Sequence, residues 1–530
     1  MSGPRSPENA PPAADPSRST YDAIIIGSGF GGSMAAHTLV AAGLDVVMLE
    51  RGDWVARGPR NWDADGTLDL TPTATSEPPY RVLAGGNTDS VRPYSCVGGP
   101  SVFYGGVSLR FREGDFEADD EIAAGSGAAW PYRYADLEPY YTQAEQILDV
   151  AGDAATDPTE PLHSEPYPQP PMELSDTSRM VGGAARDLGL QPFRLPLAIN
   201  HRAVGTRARC VACTTCDTFA CAIGAKNDLA TTVLPELIGR GLHLAHNTVA
   251  TRLVHEHGRV RGVECHDKST GATREYRAPV FFLSAGALGS PHLLLASGLE
   301  QLNPAGALVG RNLMRHCNAI AFGFFPRRPN QRKQFHKQLG IHDFYFGHPS
   351  ITSPRGKLGS IQQLQTPPIG LVRDALPRPL GPFVGPVIEH MTGLLVMAED
   401  QPRSTNGVAV DWTTRDRFGL PGLTIEHHYT ERDLAARDAL IAQSKKVLRG
   451  AGAAFVYVHQ IKTFSHSVGT ARFGPDPATS VLDPYCGFRG VDNLYVVDAS
   501  FMPTSAGLNP SLTISANALR VAEQVAQRGA

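Results

Sequence analysis

The stretch Gly27-Ser28-Gly29-Phe30-Gly31-Gly32 constrains this chain more than any other, because a strand runs into it and a helix leaves it. Before it, Asp22-Ala23-Ile24-Ile25-Ile26 is a short β-branched apolar run that reads as a strand buried on both faces. After it, an Ala-rich stretch from about Ser33 to Ala42 reads as helix, and Val46 to Leu49 as a second strand ending in Glu50. This is a β-α-β unit of the dinucleotide-binding kind. Gly27 makes the tight turn, Gly29 lets a pyrophosphate touch the backbone, and Gly32 lets helix and strand pack closely. The helix N-terminus presents free N–H groups and a positive dipole end to phosphate. Glu50 stands where a carboxylate can accept both ribose hydroxyls, which disfavours a 2′-phosphate and hence NADP. The motif alone leaves FAD and NAD both open.

The 530 residues exceed one compact domain and suffice for two sharing a large interior. A composition of 42% hydrophobic and 19% charged residues excludes wholesale disorder. A net charge of -4 gives no electrostatic reason to expect nucleic acid or an anionic membrane. No apolar run is long enough for a membrane span. The leader 1–20 is rich in Pro, Ser and Ala without an apolar h-region, so it reads as disordered rather than as a signal peptide, and the default location is cytoplasmic.

The strand-rich style of sequence returns around 242–298, where Val280-Phe281-Phe282-Leu283 leads into Ser284-Ala285-Gly286. It returns again at Leu494-Tyr495-Val496-Val497-Asp498, followed by an amphipathic helix from about Pro510 to Gln527. The expected fold is α/β. A discontinuous Rossmann-type nucleotide domain covers 21–51, 92–115, 228–315 and 464–530. A substrate (cap) domain built on an antiparallel sheet covers 52–91, 116–227 and 316–463.

Near the carboxy terminus, Phe464-Ser465-His466-Ser467-Val468-Gly469-Thr470 places a His before a Gly turn. Ser505-Ala506-Gly507-Leu508-Asn509-Pro510-Ser511-Leu512-Thr513 then opens the last helix, with Pro510 suited to a first helical turn. The exposed N-terminus of that helix could face a group that becomes negative.

These residues resemble the glucose-methanol-choline (GMC) oxidoreductases. The middle signature Gly286-Ala287-Leu288-Gly289-Ser290-Pro291 to Gly298-Leu299 follows the family's pattern, with Glu300 in place of a usual Gly. His466 to Gly474 and Val491 to Ser500 are equally characteristic. The resemblance implies FAD, with His466 as active-site base, Asn509 as its partner, and Asp498 and the start of the last helix on the ribityl chain and isoalloxazine. The implied chemistry suits that pair: hydride leaves an alcohol carbon readily only as its oxygen loses a proton, so a base with a pKa near working pH is useful, and Asn509 can hydrogen-bond the developing alkoxide without competing for the proton. The bland alternative is that His466 caps a buried turn. The resemblance adds Arg51, Val249, Ala285, Ala499, Pro510 and Thr513 to the cofactor contacts, together with the Gly98-Gly99-Pro100-Ser101 loop and Tyr104, Gly105 and Gly106. Members with covalent flavin carry a His near that loop; Phe103 and Tyr104 stand here instead, which implies noncovalent FAD.

Cys210, Cys213, Cys216 and Cys221 form one knot in the sequence, half of the chain's eight cysteines. Three readings compete: an iron–sulfur cluster, as the resemblance to some membrane-coupled sugar dehydrogenases allows; zinc, although the paired-knuckle separation is missing; and a loop of reduced or partly disulfide-linked thiols, the reading preferred here. Glu426-His427-His428 puts neighbouring histidines on opposite strand faces, a poor metal site. His336, His342 and His348 divide between lining a substrate pocket and the surface.

The reaction expected is oxidation of a primary or secondary alcohol, with a sugar, glycoside or polyol as substrate by likeness to sugar- and aminoglycoside-oxidising members at Val102–Gly106 and Pro196–Asn200. Sterols and aryl alcohols are alternatives, as is a hydroxynitrile lyase that keeps FAD without net redox. Whether oxygen or another carrier accepts the electrons stays open at this stage, as does the oligomeric state.

Overall fold

A parallel strand between two helix layers has no solvent-facing side, so only all-apolar runs fill such positions. The computed structural model of the chain describes residues 18–62, 80–84, 90–91, 94–202, 207–367 and 381–528, and three such runs form the centre of a five-stranded sheet. The spatial order of its strands is Leu494–Val496, Val280–Leu283, Ala23–Ile26, Val46–Leu49 and His243–Ala245, every neighbouring pair parallel. From Ala23–Ile26 the chain continues to Val46–Leu49 on one side, while Val280–Leu283 lies on the other. At such a reversal the loops leaving the strand ends part and form a crevice for ligands. Gly27 and Ser284 are the first residues beyond those two ends.

The helix Phe30–Ala41 packs beside the terminal helix Ser511–Gln527 over this sheet. A third helix, Tyr134–Ile147, joins them: the Tyr141 hydroxyl and the Thr513 hydroxyl lie 2.7 Å apart. That helix falls in 116–227, expected in the substrate domain, yet it shares the core of the nucleotide-binding half. An antiparallel meander of Thr248–Glu256, Arg259–Asp267 and Thr273–Tyr276 joins the sheet through Thr248, whose N–H donates to the Glu50 carbonyl at 2.8 Å. Of the expected leader 1–20, residues 1–17 lie outside the described residues. Backbone pairing begins at Ser19, whose carbonyl accepts from Arg277 at 2.7 Å, two residues before the expected start of order.

A second, antiparallel sheet has six strands in the order Phe455–Gln460, Cys317–Phe324, Met391–Ala398, Gly359–Leu364, Leu339–Ile341 and Phe193–Arg194. Side chains alternate across it. Ala319, Ala321, Ile361, Leu394 and Val396 pack with the helix Glu431–Gly450 in one core. One step along the strand, Ser360 and Gln362 point the other way, onto the Gly507–Asn509 loop. A mixed sheet of Gly407–Arg415, Pro421–Glu426, Tyr80–Ala84 and Ser90–Val91 completes the sheets that bear on the site. Among the described residues no helix is long and apolar enough to cross a membrane.

Candidate active site

The glycine loop is built for close approach. Gly27 has φ +102°, and a methyl there would fall inside 3.0 Å of the Ser284 carbonyl oxygen; one at Gly32 would do the same to the Gly27 carbonyl. At Gly29, by contrast, a methyl meets nothing within 4 Å. Gly29 is also the N-cap of the helix Phe30–Ala41, which has no side-chain cap and no acid in its first turn. Bare N–H groups behind an open backbone face are what a pyrophosphate needs. Sequence reasoning missed Gly31, where a methyl would run into the Val497 carbonyl.

Glu50 is buried at the end of its strand. Its Oε2 accepts from Ser28 N–H at 3.1 Å and Ser28 Oγ–H at 2.6 Å, and its Oε1 from Gly52 N–H at 2.8 Å. A carboxylate offers about four lone-pair directions, so about one remains for a ribose hydroxyl rather than enough for two. Asp498 is more fully engaged. Ser290 Oγ and Gly286 N–H (3.0 Å) donate to one oxygen, Ser500 N–H (2.8 Å) and Ser500 Oγ (2.5 Å) to the other. Its carboxylate clasps two turns together, and the expected contact to a ribityl chain would have to come from elsewhere than this side chain. Ala285 is exposed at the switch-point crevice, Ala499 is buried, and Val249 is buried next to the residue that bonds Glu50. Arg51 reaches away to Asp416 at 3.3 Å.

The Gly98–Gly106 loop sits directly on the glycine loop. Gly98 N–H donates to Ser28 Oγ at 2.9 Å, and a methyl at Gly99 would lie 3.3 Å from Gly29 Cα. Gly98 and Gly99 both take positive φ, and Ser101 Oγ–H closes the turn on the Gly98 carbonyl at 2.7 Å. Tyr104 meets Phe30 edge-on and donates to the Asn227 carbonyl at 3.0 Å, while Gly106 accepts from Ala198 N–H at 2.7 Å. At Gly105 a methyl would displace Asp217 and Lys337, themselves an ion pair at 2.8 Å.

His466 keeps some accessible surface in a deep setting. Burial, the largest cause, with the charges of His316 and Lys337 adding, pushes its imidazole down to about 3. The sequence leads one to expect a base with a pKa near working pH; here the ring is neutral throughout that range, and its charged form needs a new negative partner. Its Nδ1 lies 3.2 Å from His316 Nδ1. Asn509 accepts at Oδ1 from Gln362 Nε2–H at 2.8 Å, which leaves its own amide N–H groups as donors. The helix after it starts at Ser511, with Pro510 as an N-cap that supplies no side-chain bond and no acid in the first turn. Its N–H groups suit a group that becomes negative. Thr513 spends its hydroxyl on Tyr141.

The chain segments bearing His466 and His316 are stitched by paired backbone bonds, Met314 N–H to Val468 O at 3.0 Å and Val468 N–H to Met314 O at 2.9 Å. Sequence reasoning missed His316, Gln362 and the Lys337–Asp217 pair. His427, the buried member of the Glu426–His428 trio, lies 3.4 Å from Asp400, whereas His428 is exposed. His342 is committed to Asp157 at 2.8 Å, His336 is buried against Asn330, Gln334 and Thr366, and His348 bonds Ser350.

The cysteine knot does not converge. Among the described residues no group of three or more His, Cys, Asp or Glu side chains is placed to hold a metal ion. Cys216 and Cys221 are buried, Cys210 and Cys213 partly exposed, all as free thiols. Lys226 organises this segment instead: its buried ammonium donates to the carbonyls of Tyr104 (2.8 Å), Cys216 (3.1 Å) and Phe219 (2.8 Å). The four thiols do not fit a cluster.

Known proteins share this sequence pattern and this fold. Two sequence families described as GMC oxidoreductase match residues 21–318 and 402–518. The chain is 32% identical to 6'''-hydroxyparomomycin C oxidase of Streptomyces lividus over 96% of this chain and 91% of that protein. It is 32% identical, with the same coverage, to paromamine 6'-oxidase of Streptomyces fradiae. Its fold resembles pyridoxine 4-oxidase from Mesorbium loti at a TM-score of 0.66 and 20% identity, covering 95% of this chain and 98% of the other. The uncapped glycine helix and the open face of Gly29 fit the pyrophosphate of FAD. The nucleotide loop, the switch-point crevice and the two family matches lead to one assignment: this chain belongs to the GMC oxidoreductases and is a flavoprotein enzyme acting on CH–OH groups.

Proposed function

We propose that the enzyme oxidises a primary or secondary alcohol of a sugar, glycoside or polyol, with His466 as base and Asn509 as hydrogen-bond donor to the substrate oxygen. The observation that carries this reading is a neutral His466 held by His316, with an Asn509 whose amide oxygen is already occupied by Gln362. FAD, when bound, supplies the acceptor for the hydride. His466 takes the hydroxyl proton, and the resulting alkoxide accepts from the Asn509 amide. The six-stranded sheet holds the Gly507–Asn509 loop through Ser360 and Gln362, which fixes the place of the Asn509 amide.

Aminoglycosides lead the substrate class because both relatives named above are, by their names, aminoglycoside-type oxidases. Anaerobic flavin bleaching by paromamine, glucose, glycerol, benzyl alcohol and cholesterol tests the class. Fastest bleaching by paromamine or another polyol is expected; bleaching by benzyl alcohol or cholesterol alone overturns it, and no bleaching by any alcohol turns the reading toward a lyase. Admitting air afterwards shows whether oxygen is the acceptor. His466→Ala is expected to slow flavin reduction at least ~100-fold while FAD stays bound; near-parent reduction would refute the base. Noncovalent FAD is proposed from Phe103, which stacks on Tyr94, and Tyr104, whose hydroxyl is already bonded. Acid precipitation should release the yellow colour into the supernatant.

A further inference from the structure

The His316–His466 contact joins two Nδ1 atoms, either of which could donate. The far side of His316 decides the direction. His316 Nε2 lies 3.0 Å from the Ser505 carbonyl oxygen, which only accepts, so Nε2 carries a proton. Burial holds the His316 ring below its ordinary range, so it is neutral and carries that proton alone. His316 Nδ1 is then an acceptor, and His466 must donate to it from Nδ1. What remains on His466 is an unprotonated Nε2, the lone pair a base requires.

His316 is held with unusual care. Its φ of +58° is a left-handed backbone that few L-residues adopt. Asp400, itself buried, accepts the N–H groups of Arg315 at 2.8 Å and His316 at 3.1 Å, and the Ser505 hydroxyl at 2.8 Å. Both ends of the His316–Ser505 contact therefore hang on one carboxylate. The Tyr429 hydroxyl adds a bond to the His316 carbonyl at 2.7 Å. A costly backbone conformation kept in place by several groups points to a functional demand on the side chain it presents.

We propose that His316 is a positioning residue that fixes His466 as the Nδ1–H tautomer and aims its Nε2 at the substrate hydroxyl, a role that rests on reading His466 as the base. One proton moves, from the alcohol oxygen to His466 Nε2. The imidazolium that results donates from Nδ1 to a neutral His316, a charge-assisted bond about twice as strong as the neutral one. His316 keeps its own proton on Ser505 throughout.

Three substitutions separate this role from loop support. His316→Asn would retain an amide oxygen near the place of Nδ1, His316→Gln an amide donor near the place of Nε2, and His316→Phe a ring with neither. Limiting rates of anaerobic flavin reduction by paromamine should fall about 10- to 100-fold in His316→Gln and His316→Phe, a part of the ~10²–10⁴ that a positioned base contributes. His316→Asn should stay within about 5-fold of the parent on the same scale. FAD content and the apparent Kd for paromamine should not change. Rescue by His316→Gln and not by His316→Asn would mean that His316 only holds the Ser505 loop, and would overturn the proposal. The His316→Phe/His466→Ala double variant should be no slower than His466→Ala; additive losses would overturn it too. A readout that needs no substrate is ¹⁵N NMR of histidine-labelled protein, with expected N–H at Nδ1 of His466 and Nε2 of His316. An Nε2–H tautomer for His466, with His466→Ala still slow, refutes the positioning role alone, whereas a fast His466→Ala refutes the base itself.

Discussion

Replacing Gly29 by alanine should damage FAD binding and leave the protein fold almost untouched, the reverse of the same change at Gly27. A methyl at Gly29 meets nothing within 4 Å, and the residue's φ of -70° suits any L-residue. The apoprotein loses at most about 1 kcal/mol, the difference between Gly and Ala at a helix N-cap. The methyl nevertheless stands on the face where a pyrophosphate would receive backbone N–H bonds. Losing about one charge-assisted bond there costs about 2 kcal/mol, or about a 30-fold rise in the Kd for FAD. At Gly27 the methyl meets the Ser284 carbonyl inside 3.0 Å with φ at +102°. Left-handed backbone costs about 1–2 kcal/mol and overpacking about 1–3 more, so that apoprotein should be several degrees less stable. The assay is thermal melting of apoproteins beside FAD titration by flavin fluorescence quenching. Parent-like FAD affinity in Gly29→Ala, or a large fall in its apoprotein melting temperature, would refute the reasoning.

Gln362→Leu should slow flavin reduction about 5- to 30-fold with little change in substrate affinity, because Asn509 loses the bond that orients its amide; single-turnover kinetics would show it. Stability should fall on acidification below pH 6.5. His292 is buried, donates from Nε2 to the Pro421 carbonyl at 2.8 Å, and is held down to about 4 by that burial. The unfolded chain takes up its proton near 6.5 and the folded one only near 4, so this stabilisation is complete above 6.5 and disappears as pH falls to 4. It amounts to about 3 kcal/mol at most. His292→Gln keeps the donor without the titration, so denaturant melts from about pH 7 to about pH 4.5 should show a shallower fall than the parent.

The parts of the site that were legible in the sequence are those made by neighbours in the chain. Gly27, Gly29 and Gly32 follow one another between a strand and a helix, so their tasks follow from local geometry alone. His466 and Asn509 were reached through resemblance, since each acts with partners far along the chain. His316 lies 150 residues from His466, at the point where the two domains were expected to divide, and no local pattern marks it. Gly31 occupies a position that the glycine motif leaves free, and its need for glycine comes from the Val497 carbonyl, just past a strand hundreds of residues later. Asp498 shows the converse. Its place after a strand was legible, but four internal donors saturate it, and only a structure reveals that. The cysteines are free thiols, within the reading preferred from sequence, and they show that closeness in sequence is not convergence of sulfur atoms on one point.

The Leu494–Val496 strand, paired in parallel with Val280–Leu283, sets the order in which this protein can be assembled during synthesis. Until that strand and the helix Ser511–Gln527 leave the ribosome, Val280–Leu283 has an open edge, Gly31 has no carbonyl to press against, and the loop from Ser505 to Asn509 does not exist. Parallel pairing across such distances closes slowly, because the intervening chain must lose its entropy before the contact forms. The nascent enzyme would spend most of its synthesis with a glycine loop and no pocket around it. FAD capture then becomes one of the last events of folding, because its pocket waits on a sheet finished from its far edge.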